Sequence, residues 1–285
     1  MIFSLVGVVG AGQMGNGIAQ VIASKGISTI LVDVNEDALA KALETIAKSC
    51  DRLIKKQKIS DDDKASLLAN ISVSTDMKAL GDCDLVIEAA TENIDLKLKI
   101  FQQLDEVCNK ECLLASNTSS ISITKIAAAT NRPENVVGMH FMNPVPLMKL
   151  VEGIRGLQTS DDAFERVKSF AEFLGKTFVV AQKDMPGFVV NRILLPMINE
   201  AIYTLHEGIA TVEDIDAAMM LGTNQPMGPL TLADFIGLDT CLSIMQVLYE
   251  GMGDSKYRPC PLLVKYVEAG WYGKKSGRGF YNYAT

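Results

Sequence analysis

At 285 residues, 48% hydrophobic and 21% charged, the chain is long and apolar enough for about two globular domains with a sizeable core. Its formal net charge of −7 argues against nucleic acid and anionic membrane as partners, since both reward basic surfaces; a local basic cluster could still hold a phosphorylated ligand. Two histidines and six cysteines with no CxxC pair supply no zinc set, so no metal is expected, and the cysteines read as free thiols of a reducing, cytoplasmic compartment. The opening MIFSLVGVVG lacks a basic n-region, and no run approaches the roughly 18 apolar residues of a membrane span.

In chain order, FSLVGVV, STILVDV, CDLVIEA, CLLAS, NVVGMHF and TFVVA read as strands. They are rich in Val, Ile and Leu and nearly free of charge, as suits parallel strands covered on both faces. Between them GNGIAQVIASKG, EDALAKALETIAKSCDRLIKKQK and LKLKIFQQLDEVC read as helices, with a short one over ITKIAAAT. The alternation predicts an α/β fold, a Rossmann-like doubly wound parallel sheet over residues 1–183. From Asp184 the texture changes. MPGFVVNRILLPMINEAIYTLHEG, TVEDIDAAMMLG, PLTLADFIGLDTCLSIMQVLYE and CPLLVKYVEAG read as helices punctuated by Gly and Pro, so residues 184–285 form a second, all-helical C-terminal domain. The next strand-like run is the terminal GFYNY.

GVVGAGQMGNG places Gly10, Gly12 and Gly15 in a GxGxxG pattern between the first strand and a helix, with Asp33 eighteen residues past Gly15 at the end of the second strand. Gly10 allows a tight turn, Gly12 lets the backbone approach a pyrophosphate, and Gly15 lets helix pack on strand; the helix N-terminus then faces the anion. Asp33 would accept the adenosine ribose hydroxyls and repel a 2′-phosphate, which points to NAD over NADP. The alternative is that Asp33 caps a turn and the glycines shape a loop. Two further loops at strand ends carry Glu92, Asn93 and Lys97, and Asn117 to Ser120. Ligands of open α/β sheets sit at the carboxyl ends of strands, so these residues would line the same crevice, although NTSS could simply cap the ITKIAAAT helix.

His140 lies in MHFMNPVPLMKLVE, twelve residues before Glu152 in an otherwise apolar run. It is either a buried histidine satisfied by a backbone carbonyl or a general base oriented by that acid. Histidine changes protonation state close to neutral pH, and a buried acid needs a partner. His206, at a helix end, offers no chemistry. The helix around CDRLIKKQK carries Ser49, Arg52, Lys55, Lys56 and Lys58. Arg52 and Lys56 face one direction, either toward a diphosphate and 3′-phosphate or toward solvent.

The motifs VGAGQMG, VIEAATEN, ASNTSSISIT, MHFMNPVPLMKLVE, DMPGFVVNRILLPMINEA, NQPMGPLTLADFIGLD and YGKKSGRGFYNY follow one another over essentially the whole chain. In this order they resemble the 3-hydroxyacyl-CoA dehydrogenase family, of the bacterial short-chain 3-hydroxybutyryl-CoA type. The resemblance implies NAD-dependent interconversion of (S)-3-hydroxybutanoyl-CoA and acetoacetyl-CoA, with His140 as general acid/base and Glu152 orienting it. It implies that Ser119 and Asn191 contact the substrate at the reacting end, and that Ser49, Arg52, Lys56 and Ser119 hold the acyl-CoA. For NAD it implies Gly10, Gly12, Gln13, Met14, Gly15, Asp33, Glu92, Lys97, Asn117, Ser119, Asn143 and Lys275. It further implies a homodimer, with the second domain closing the cleft; the Met-rich stripe there could equally be ordinary core. A dehydrogenase of sugar acids such as gulonate, or a non-catalytic relative, are the rival readings. The basic helix disfavours the first, and the presence of His140, Glu152 and the glycine loop disfavours the second.

Overall fold

Apolar runs bounded by Gly, Asp and Asn become β1 (Leu5–Val9), β2 (Ser28–Val32), β3 (Ile71–Ser74), β4 (Leu85–Glu88), β5 (Leu113–Ser116), β6 (Val136–Phe141), β7 (Leu150–Ile154) and β8 (Thr177–Ala181). The computed structural model describes residues 3–284. The eight strands form one sheet in the order β3-β2-β1-β4-β5-β6-β7-β8. The first six follow the Rossmann order. All neighbouring strands run parallel except β6 and β7, which are antiparallel. The chain escapes the pure parallel pattern there because it turns back at once through residues 142–149 instead of crossing over by a helix. Neither β3 nor β7 stands out in the sequence: ISVS is half polar, and LVEGI has an acid at its centre.

Six helices accompany the sheet: α1 (Gln13–Ala23), α2 (Glu36–Lys55), α3 (Asp61–Ala69), α4 (Ile94–Val107), α5 (Ile123–Ala127) and α6 (Asp161–Phe173). The Asn35 side chain starts α2 by accepting from the Asp37 and Ala38 amides, and Ser60 and Asp63 form a capping box on α3. One core joins Val6 and Val8 of β1, Ile18 and Ile22 of α1, and Phe164, Val167 and Phe170 of α6. Val137, Met139, Phe141 and Val151 enter the same core, so by strand alternation His140 and Glu152 point to the opposite face. This unit runs through Met185. Its last residues are tied to it by Asp184, which accepts from Ser122 Oγ at 2.6 Å and Thr124 N at 2.8 Å.

The second unit starts at Pro186. It consists of α7 (Val190–His206), α8 (Val212–Thr223), α9 (Pro229–Ile236), α10 (Leu238–Met252) and α11 (Pro261–Glu268) around a core that includes Ile198, Ile202, Leu230, Met245 and Leu263. The stretch PLTLADFIGLDTCLSIMQVLYE, expected as one helix, is two. Gly237, at φ +101°, breaks it, and α9 and α10 meet at a bend of 97°. The terminal GFYNY is not a strand; only isolated bridges pair Arg278 with Gly273 and Asn282. Its backbone is instead held by the buried Asp234 carboxylate, which accepts from Phe280 N at 3.0 Å and Tyr281 N at 2.9 Å. Among the described residues no single helix is long and apolar enough to cross a membrane.

Candidate active site

The glycine loop leaves β1 with Gly10 at φ +102°, and Gly10 N donates to Val32 O at 2.7 Å. A Cβ at Gly10 would stand 2.8 Å from Ala89 O, and one at Gly15 would stand 1.7 Å from Gly10 O. Both positions therefore require glycine for the chain itself. Gly12 differs. Its φ of −67° suits any residue, and a Cβ there would meet nothing within 4 Å. Nothing within the chain requires glycine there, and Gly12 is the N-cap residue of α1, whose first turn contains Gln13 and Met14. Asp33 follows β2 and faces the loop, its Oδ2 accepting from Ala11 N at 2.7 Å and its Oδ1 from Asn35 N at 3.0 Å. An open glycine face, a helix N-terminus and a carboxylate beside them are the set that a pyrophosphate and a ribose require, so the residues fit NAD.

At the carboxyl ends of β4 and β5 a dense polar network replaces the two separate loops seen in sequence. Lys97 is 1% exposed, and its Nζ reaches Glu88 Oε1 at 2.6 Å, Ala90 O at 3.3 Å and Glu92 Oε2 at 3.5 Å. Ser116 Oγ donates to the other Glu88 oxygen at 2.7 Å. Glu92 in turn accepts from Thr118 Oγ1 at 2.6 Å, Ser119 N at 2.9 Å and Ser120 N at 3.1 Å. One buried cation thus pairs closely with the buried Glu88 and more loosely with Glu92, and the outer acid shapes the loop that carries Ser119. Asn117 Oδ1 accepts from Phe141 N at 2.8 Å, which joins that loop to β6 immediately after His140.

His140 and Glu152 are register partners across the antiparallel β6–β7 pair. Directly opposed residues share a face with Cβ atoms about 5 Å apart. The twelve-residue separation is therefore a cross-strand neighbour. His140 Nδ1 lies 2.7 Å from Glu152 Oε2, with His140 5% exposed and Glu152 fully buried. The short charge-assisted contact supplies the partner that a buried acid needs.

A cavity of about 420 Å³ opens between α1, α2 and the turn after β6. Thr45, Ser49 and Arg52 line it from one face of α2 and Lys56 from that helix's C-cap, Gln13, Asn16, Gly17 and Gln20 from α1, and Asn143 to Leu147 from the turn. Among the described residues it has two cations and no carboxylate in its lining, in a chain whose net charge is −7. Lys55 and Lys58 do not line it. The spacing 45, 49, 52, 56 is the i, i+4, i+7, i+11 stripe that puts Arg52 and Lys56 on one side of a helix.

Residues 5–185 match the NAD binding domain of 3-hydroxyacyl-CoA dehydrogenase and residues 187–283 match its C-terminal domain. The chain belongs to the 3-hydroxyacyl-CoA dehydrogenase family. It is 60% identical over 278 residues, 98% of this chain and 94% of the relative, to the 3-hydroxybutyryl-CoA dehydrogenase of Bradyrhizobium diazoefficiens. It is 57% identical to a probable 3-hydroxybutyryl-CoA dehydrogenase of Bacillus subtilis, over 97% of this chain and 96% of that one. The crystal structure of (S)-3-hydroxybutyryl-CoA dehydrogenase from Ralstonia eutropha superposes with a TM-score of 0.96 at 54% identity, covering 99% of this chain and 100% of that chain. As a 3-hydroxyacyl-CoA dehydrogenase the chain is an NAD-dependent oxidoreductase.

Asn191 and Lys275 belong to the helical unit of this dehydrogenase. Asn191 lies in the first turn of α7, and Lys275 Nζ pairs with Asp239 at 2.7 Å. His206 is the last residue of α7. Glu88 and Ser116 escaped the sequence reading because they sit inside apolar strands; an acid closing the run LVIE was the available signal. The wall formed by Val145, Pro146 and Leu147 gave none, since an apolar turn acquires a role only from what packs beside it.

Proposed function

We propose that the protein interconverts (S)-3-hydroxybutanoyl-CoA and acetoacetyl-CoA, with His140 as the general acid/base and Glu152 as its orienting partner. The observation that carries this reading is the buried 2.7 Å contact between His140 Nδ1 and Glu152 Oε2. An anionic acceptor at Nδ1 keeps the ring proton there, so Nε2 is the basic atom available to the C3 hydroxyl. In the oxidative direction Nε2 takes the hydroxyl proton, and the buried carboxylate stabilises the imidazolium that results. In the reductive direction the same nitrogen returns a proton to the C3 oxygen. The chemistry that NAD supplies when bound is hydride exchange at C3. Asp33, Gly12 and the α1 N-terminus bind it, while Lys97 acts on it through Glu92 and the Thr118–Ser120 loop. Ser119 and Asn143 orient the substrate oxygens and the nicotinamide side, and Asn191 contacts the substrate.

Arg52, Lys56 and Ser49 take the phosphates of coenzyme A, and the two-cation cavity supports that choice over a sugar acid, which would not need it. Similarity to 3-hydroxybutyryl-CoA dehydrogenases, one of them an (S)-specific enzyme of known structure, favours the C4 acyl chain and the (S) hydroxyl. The working form is a cytoplasmic homodimer joined through the helical unit. An apolar cavity of about 460 Å³ there includes Met197, Ala201, Ile215 and Met219, and Ile193, Ile209 and Leu221 stand exposed. Light scattering at micromolar concentration tests the dimer; a monomer rejects it.

The deciding assay follows NADH absorbance with acetoacetyl-CoA, alongside gulonate with NAD. Rapid NADH oxidation supports the proposal. Turnover of gulonate alone would hand the reading to a sugar-acid dehydrogenase.

A further inference from the structure

The turn at residues 142–149 has no helix or strand of its own, yet it carries Asn143 and builds one wall of the basic cavity. It is closed internally only by Leu147 N and Met148 N, both donating to Pro144 O at 3.0 Å. Val145, 1% exposed, packs on Gly17 of α1, where an added Cβ would stand 2.9 Å from Val145 Cβ. The other side is closed by Lys176, which immediately precedes β8. Lys176 is 9% exposed, and its Nζ donates to Val145 O at 2.6 Å and Met148 O at 2.7 Å. Beside it, Thr177 N donates to Lys149 O at 2.6 Å.

Among the described residues no carboxylate lies within ion-pair distance of Lys176, and burial holds its ammonium below the usual lysine range. Burying a cation without a counter-ion is expensive, and two turn carbonyls are what compensate it. The chain therefore commits a charged group to fixing this turn. Lys176 itself does not line the cavity.

We propose that Lys176 is a positioning residue for acyl-CoA: it clamps the turn against α1, fixes Asn143, Pro146 and Leu147, and so sets acyl-CoA affinity without touching the ligand. The proposal rests on the cavity being the coenzyme A site. The Lys176 ammonium bonds to Val145 and Met148 and to neither Gly12 nor Asp33, so NADH binding should change far less than acyl-CoA binding, even though the turn carries Asn143.

The test is steady-state kinetics of Lys176→Met and Lys176→Arg in the full-length enzyme. Lys176→Met should raise the KM for acetoacetyl-CoA about tenfold, with the KM for NADH rising no more than about twofold and kcat within about threefold. Arginine can donate to both carbonyls and should restore most of the affinity. Lys176→Gln, shorter but able to donate to one of the two carbonyls, should raise the same KM by an intermediate amount, which keeps the proposal testable if Lys176→Met fails to fold. An unchanged acyl-CoA KM, an equal rise in both KM values, or arginine behaving like methionine overturns it. Arg52→Ala/Lys56→Ala separates the two levels. If that double variant weakens acyl-CoA binding and Lys176→Met does not, only the clamp is wrong; if the double variant has no effect, the coenzyme A site and the clamp fall together.

Discussion

Replacing Glu152 by Gln keeps the shape of a fully buried side chain and removes only its charge. With Oε2 2.7 Å from His140 Nδ1, the charge centres of an imidazolium and the carboxylate are about 4 Å apart. At an effective dielectric constant near 20 that attraction is about 4 kcal/mol. Water cannot screen it much, because His140 is 5% exposed and Glu152 is fully buried. A transition state with the proton about half transferred forfeits about 2 kcal/mol, and a fully formed imidazolium forfeits the whole. The expected loss in kcat therefore lies between about 30-fold and about 1000-fold. Stopped-flow NADH absorbance with acetoacetyl-CoA measures it, and NADH fluorescence titration checks that the cofactor site is intact. A kcat within threefold of wild type, with NADH affinity retained, would refute the orienting role.

The glycine loop offers a paired test: Gly12→Ala should leave the melting temperature within about 2 °C while weakening NADH binding at least about tenfold, whereas Gly15→Ala should lower the melting temperature itself. Calorimetry and NADH titration read both, and equal behaviour of the two variants would contradict the assigned roles. Asp33→Asn removes the charge that would face a 2′-phosphate, so the ratio of NADPH to NADH efficiency should rise about tenfold or more; an unchanged ratio would place discrimination elsewhere. Asp105 is partly desolvated, which opposes ionisation, but hydrogen bonds from Asn131 and Arg132 prevail and hold its carboxyl below the usual range. Its folded pKa is depressed, so its contribution is present above the ordinary aspartate value and is lost as pH falls through the folded one. Asp105→Asn should therefore lower the melting temperature at neutral pH and converge with wild type in acid; parallel curves at all pH values would disprove this.

The sequence by itself determined the glycine loop, the strands that precede and follow it, and the basic stripe on α2, because each depends on neighbours within about a dozen residues. Glycine patterns report local backbone demands, and unbroken Val/Ile/Leu runs report strands buried on both faces. Family membership was also readable, since ordered motifs span the whole chain. The contact between His140 and Glu152 was decided by the tertiary structure. LVEGI does not look like a strand until it pairs antiparallel with β6, and only that register turns a spacing of twelve into a facing pair. The break at Gly237, the Glu88–Lys97–Glu92 network and the Lys176 clamp are of the same kind. Each depends on which distant segment lies alongside, and long-range pairing fixes register and counter-ions in a way that no local pattern encodes.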